Sequence, residues 1–157
     1  MKKIMILQVI ILILLAGNLA YSFDFKNPSN FFSAKEIISP KDRIGEDQIH
    51  IYEDKIVIDI SGATYAKYAD TGSMDPFLDT EANGLEIKPI SEEDIQVGDV
   101  ITYQPGWTSN LVVHRVIQVG EDEQGWYAYT KGDNVSVIDP GKIRFDQVEY
   151  ILIGVLY

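Results

Sequence analysis

There is no cysteine in the 157-residue chain, which excludes a disulfide framework and thiolate chemistry. Histidine occurs twice, as His50 and His114. Two imidazoles without a thiolate do not assemble a nitrogen–sulfur zinc site, so neither a metal nor a cofactor is expected. Basic residues are in deficit: 13 Lys and Arg stand against 24 Asp and Glu, a formal net charge of -11. Such a surface repels phosphate backbones, and no basic stripe or recognition helix is present, so nucleic acid is not an expected partner. The acidic residues are scattered rather than gathered into a tail, as on a solvated surface that favours solubility. Internal repeats and low-complexity tracts are absent as well.

What is present begins with Lys2 and Lys3 and an apolar run from Ile4 to Ala20, broken only by Gln8 and Asn18. As a helix that run spans about 26 Å, slightly less than a ~30 Å hydrocarbon core. Tyr21, Phe23 and Phe25 extend it into the interface as an aromatic belt. The lysines favour a cytoplasmic N-terminus, which places the rest of the chain outside. Ala20-Tyr21-Ser22 has small residues where a processing enzyme reads, so a cleaved signal peptide and an uncleaved anchor both fit these residues. No second span is expected, because Tyr150 to Tyr157 is apolar but too short and reads as a closing strand.

Beyond residue 22 the reading divides into a stem over 23–47 and one compact domain over 48–157, long enough to bury a core without staples. In the stem, Phe31, Phe32, Ala34, Ile37 and Ile38 make one face of a short helix starting near Asn30, packed on the domain or laid on the bilayer. Ser39-Pro40-Lys41-Asp42 is a helix-start or turn signal. From Gln48 the apolar period changes to two: Ile49 and Ile51, a turn at Glu53-Asp54, then Ile56, Ile58 and Ile60 predict a hairpin. Further strands are predicted over 63–68, 100–103, 111–119, 126–130 and 148–156, with a capped single turn at Ser91-Glu92-Glu93-Asp94. Short strands with Gly- and Asp-rich turns argue a mainly β domain with a small antiparallel barrel-like fold.

Three local sequences carry the chemistry. The first, Thr71-Gly72-Ser73-Met74-Asp75-Pro76, sets a hydroxyl in a stiff turn, since glycine allows unusual φ and proline fixes the chain just beyond. An unactivated serine is a weak nucleophile and needs a base nearby. The second, Val112-Val113-His114-Arg115-Val116, places one imidazole on a buried strand, where a neutral ring can accept a proton. The third runs Lys131-Gly132-Asp133-Asn134-Val135-Ser136-Val137-Ile138-Asp139-Pro140. Both of its aspartates suit turns, and either one can orient a histidine as the acid of a serine triad does.

In this order, behind one N-terminal apolar segment, these motifs resemble type I signal peptidases. The resemblance is to the form found in archaea and the endoplasmic reticulum, with histidine in place of lysine as the base. It covers most of residues 68–157. It implies a signal-peptidase/LexA-like antiparallel β-barrel-type catalytic domain behind one N-terminal transmembrane helix, and it favours the uncleaved anchor over the cleaved leader. It further implies Ser73 as nucleophile, His114 as base and Asp139 as the orienting acid, with Asp133 bracing the loop. Thr71 matches a position where bacterial relatives carry a serine, so its hydroxyl and the Ser73 N–H are the implied oxyanion donors. Met74 is expected in the substrate pocket. Lys131 is not the implied base, because His114 holds that position, and Val135 departs from the pattern, where a second Asn is common.

The implied function is a membrane-bound serine endopeptidase, single-pass with its catalytic domain extracytoplasmic. It would remove signal peptides from exported preproteins by cutting after small residues. The implied partners are signal peptides of preproteins, the lipid membrane and the secretion machinery. Two other expectations stay open: a non-catalytic extracytoplasmic β-domain that binds a partner by strand addition, and a peptidase dedicated to a few exported clients.

Overall fold

The computed structural model describes residues 36–157. The predicted transmembrane segment, the Ala20-Tyr21-Ser22 site and most of the stem helix lie outside the described residues. Among the described residues no helix is long and apolar enough to cross a membrane.

Among the described residues eight strands form two antiparallel sheets. Strands β1 (Ile49–Ile51) and β2 (Ile56–Ile58) make the predicted hairpin. The remaining strands are β3 (Thr64–Lys67), β4 (Asn83–Ile87), β5 (Val100–Tyr103), β6 (Val112–Asp122), β7 (Gly125–Lys131) and β8 (Val148–Leu156). They lie in the order β3-β4-β8-β5-β6-β7. The mainly β expectation holds, but the sheet is open: among the described residues no ladder joins β3 to β7, so both remain edge strands.

Burial on both faces of the central strands gives two cores. All four residues of β5 are buried, and alternation sends successive side chains to opposite faces. Ile101 and Tyr103 join Val116, Ala128, Ile143, Val148 and Ile151 on one side. Val100 joins Met74, Leu78, Ala82 and Leu152 on the other. His114 pairs with Ile101 across β5–β6 and shares its face. Arg115 falls on the face of the second core, its guanidinium 5.1 Å from the centroid of the Phe77 ring.

Two local expectations change. Residues 36–45 contain no helix, and the short 3-10 turn comes later, at Glu46–Gln48. The stem is held instead by a distant acid. Asp99, fully buried, accepts hydrogen bonds from Arg43 Nη1 at 2.8 Å, Arg43 Nη2 at 2.7 Å and the Lys41 N–H at 2.9 Å. Such a long-range anchor outweighs the local preference of Pro40 for a helix start. The connection between the strands predicted over 111–119 and 126–130 is also tighter, since the β6–β7 ladder continues to the pair Asp122–Gly125.

Strand β4 has no counterpart among the sequence-predicted strands. Its alternation is inverted: Gly84 and Glu86 are buried while Leu85 is only half-buried. Asn83-Gly84 resembles a turn, yet the chain stays extended there because Tyr68 needs the space over Gly84. A Cβ on Gly84 would lie 1.8 Å from Tyr68 Oη.

Candidate active site

The nucleophile candidate sits in a turn built for close approach. Gly72 has φ +65, a left-handed conformation that glycine adopts without steric cost. A tight turn follows, in which the Met74 carbonyl accepts the N–H groups of Phe77 and Leu78 at 2.9 and 3.0 Å. The loop after β7 grips this turn from the other side. Asn134 N–H donates to the Ser73 carbonyl at 3.0 Å, and Asn134 Nδ2 donates to the Gly72 carbonyl at 2.9 Å.

Ser73 Oγ lies 3.0 Å from His114 Nε2. The other ring nitrogen, Nδ1, lies 2.7 Å from Asp139 Oδ2. Serine, imidazole and carboxylate thus form one continuous relay, and the acid in it is Asp139. Three strands position it: β5 carries Tyr103, β6 carries His114 and β7 carries Thr130. The Asp139 N–H bonds to the Thr130 carbonyl at 2.9 Å, which fastens the returning loop to the end of β7.

Asp139 Oδ2 also accepts from Thr130 Oγ1 at 2.7 Å and from Tyr103 Oη at 2.9 Å. The two hydroxyls are 2.9 Å apart. Two hydroxyl protons therefore serve three short contacts, and the carboxylate takes the negative charge they point to. Burial alone would raise the Asp139 pKa. The hydrogen bonds from His114, Thr130 and Tyr103 outweigh it and hold the carboxyl below its ordinary value. Burial chiefly, with the Asp139 charge adding and the Thr130 hydroxyl opposing, raises the Tyr103 phenol, so Tyr103 stays a proton donor.

Asp133 is elsewhere engaged. Its two oxygens meet Arg115 Nε at 2.8 Å and Nη2 at 2.7 Å, a bidentate pair with both side chains 9% exposed. Arg115 Nη1 donates to the Gly98 carbonyl at 2.7 Å. The Asp133 N–H reaches the Met74 sulfur at 3.4 Å. Asp133 therefore ties the third motif to the second without touching His114. Lys131 Nζ caps the carbonyls of Gly132 and Val135 at 2.7 and 2.6 Å.

Thr71 Oγ1 is 3.1 Å from Ser73 Oγ and lies 3.4 Å from the Ser73 N–H. The Ser73 N–H donates to Thr71 Oγ1, so the threonine hydroxyl bridges the backbone and the side chain of Ser73. Met74 is buried in the second core yet lines the cavity beside Ser73. That cavity has a volume of about 270 Å³ and is walled by Tyr68, Ala69, Leu78, Trp107, Leu111 and Val113. Among the described residues no group of three or more acids and histidines is placed to hold a metal.

Comparison with protein-family models, with curated proteins and with solved structures gives no match. The site is therefore read from its own geometry. Sequence reasoning missed Tyr103 and Thr130, which present a hydroxyl each to Asp139. The available signal was a tyrosine and a threonine at inward positions of two predicted strands, where an apolar residue is the default. Gly132 was read only as part of a motif. A Cβ there would meet the Ser73 carbonyl oxygen at 2.5 Å and His114 Nε2 at 3.0 Å.

Proposed function

We propose that the chain is a serine endopeptidase of the signal-peptidase type, tethered to a membrane by residues 1–22 and acting on preproteins outside the cytoplasm. The observation that carries this reading is the relay from Ser73 Oγ through His114 to Asp139, with contacts of 3.0 and 2.7 Å. It opens on a cavity walled mainly by apolar side chains. The order of the three motifs, the mainly β antiparallel architecture and the apolar run behind Lys2 and Lys3 agree with it.

His114 Nε2 takes the Ser73 proton as Oγ attacks the carbonyl of the bond to be cut. The tetrahedral oxyanion is met by the Thr71 hydroxyl and by the Ser73 N–H, which exchanges its long hydrogen bond to Thr71 Oγ1 for the oxyanion. Asp139 stabilises the imidazolium that forms, and the imidazolium then protonates the departing amine. Water, deprotonated by the same imidazole, releases the acyl group and restores Ser73. The cavity favours small side chains beside the cut, because larger ones meet Leu78, Trp107 or Met74. The edge of β3, unpaired among the described residues, is followed by Tyr68 and Ala69 of the cavity wall and suits a substrate held as an added strand.

The test is incubation of the full chain and of its Ser73→Ala variant with a preprotein, followed by mass spectrometry of the new N-terminus. Cleavage after a small residue by the wild type alone is the expected result. A Ser73→Ala protein that binds the preprotein, with no cleavage by either form, overturns the enzyme and leaves the strand-binding alternative.

A further inference from the structure

A second cavity adjoins the one at Ser73. Its volume is about 400 Å³, and it shares Tyr68, Ala69, Leu111 and Val113 with the first. The register explains its chemistry. Thr64 pairs with Glu86, so Thr64, Ala66 and Tyr68 lie on the Glu86 side of the sheet; Lys67, paired with Asn83, starts from the opposite side but also lines the cavity, without forming an ion pair to Glu86. Glu86 pairs with Leu152 across β4–β8, and Thr102 pairs with Tyr150 and Val113. The same face that forms the second core thus becomes polar toward β3.

Glu86 is only 3% exposed, yet its carboxyl is incompletely engaged. Oε1 accepts from Thr102 Oγ1 at 2.7 Å and from Tyr68 Oη at 3.2 Å. No hydrogen bond reaches Oε2 among the described residues. Every fully buried side-chain nitrogen or oxygen there has a partner, so Oε2 opens into the cavity that Glu86 lines. No cation pairs with Glu86 among the described residues. Burial, then the Glu86 charge, raises the Tyr68 phenol, which keeps it a donor to Oε1. A buried acid with one oxygen held and the other left open is a costly arrangement unless something completes it.

We propose that Glu86 Oε2 is the floor of a subsite that takes a lysine or arginine side chain of the bound chain, beside the pocket that holds the small residue at the cut. The inference rests on the peptidase reading for its substrate and deepens it from small residues to a small residue with a basic neighbour. An extended segment puts alternate side chains on one side, about 6.6 Å apart, so adjoining pockets on one wall receive residues two apart. The apolar walls Leu111, Val113 and Ala66 pack the methylene stem, and the ammonium or guanidinium completes the Glu86 carboxyl.

The experiment uses the full chain in detergent, as Ser73→Ala, so that binding is read without cleavage. Decapeptides with a small residue at the centre carry lysine or norleucine at each of three positions on either side, and fluorescence anisotropy gives their affinities. At one position lysine binds roughly tenfold or more tightly than norleucine, the size of a charge-assisted hydrogen bond. That ratio falls to about one when Glu86→Gln is added, as expected of a lost charge-assisted bond. Ala66→Leu, which adds bulk to the cavity wall without altering the carboxyl, abolishes the preference independently. Equal binding of lysine and norleucine at every position, absence of all binding, or a preference that survives Glu86→Gln overturns the subsite. Wild-type cleavage of the same peptides is scored in parallel. Lysine preference without cleavage keeps the subsite and sinks the peptidase, and cleavage without preference does the reverse.

Discussion

Gly132 and Ser73 touch so closely that a methyl group on Gly132 would lie 2.5 Å from the Ser73 carbonyl oxygen. Its φ is not in the left-handed region, so the constraint there is space rather than conformation. The same methyl would lie 3.0 Å from His114 Nε2, so it would press on the Ser73 backbone and the His114 ring together. Gly132→Ala is therefore expected to push the two apart while leaving the strands in place. A displacement of about 1 Å costs roughly 10²-fold in turnover. Peptide cleavage rates, compared with circular dichroism and thermal midpoint, check this. A variant with full activity would show that the loop yields without moving the site.

The two aspartates of the third motif are expected to fail in different ways. Asp139→Asn removes the charge that faces His114 Nδ1 and is expected to lower kcat by up to about 10⁴, as in other serine triads. Asp133→Ala leaves the Arg115 guanidinium buried without its partner, and losing one member of such a pair costs about 3–5 kcal/mol of stability. Urea denaturation and steady-state kinetics on both variants separate the effects. A reversed pattern, with Asp133→Ala stable but inactive and Asp139→Asn active, would exchange their roles.

Tyr103 gives a pH signature. The folded Asp139 carboxyl sits below its ordinary pKa, so its stabilising contribution is present above the unfolded value, about 3.9. It is lost as pH falls through the lower folded value. Tyr103→Phe removes one of the hydrogen bonds responsible and is expected to cost about 1–3 kcal/mol at neutral pH. The gap between wild type and variant then narrows as pH falls through that window. Turnover is expected to fall several-fold with little change in KM, because Tyr103 positions Asp139 and does not touch substrate. Urea midpoints across the acid range measure it, and a gap that stays constant with pH would remove the link to Asp139.

The period-two alternation made most of this fold legible, because strands with one apolar face announce themselves locally. The hairpin at β1–β2 and strands β3, β5, β6, β7 and β8 were readable in that way. β4 was not, since its buried positions are Gly84 and Glu86 and its meaning depends on Tyr68 lying over it. The helix-start or turn signal at Ser39-Pro40-Lys41-Asp42 failed for a related reason: Pro40 speaks locally, while Arg43 and Lys41 answer to Asp99 more than fifty positions away. At the site, Ser73, His114 and Asp139 lay within recognisable short motifs. Tyr103 and Thr130 did not, because only the β5–β6–β7 pairing carries their hydroxyls to one carboxylate.

That distant anchor supplies the last prediction. Gly98 has φ +102, and a Cβ on it would lie 2.2 Å from the Ser39 carbonyl oxygen, so the stem crosses directly over the residue before Asp99. Arg43 then closes the crossing with two hydrogen bonds to Asp99, its side chain 10% exposed and its partner's fully buried, and with a third to the Asp94 carbonyl. Arg43→Ala leaves Asp99 with the N–H groups of Lys41 and Gln96 but without a counter-charge. The expected loss is about 3–5 kcal/mol, large against the 5–15 kcal/mol that holds a typical domain together. Arg43→Ala combined with Asp99→Asn removes the uncompensated charge and is expected to recover part of that loss. Denaturation of the two single variants and the double variant measures the coupling. Additive losses would mean that the crossing is held by packing over Gly98 rather than by the ion pair.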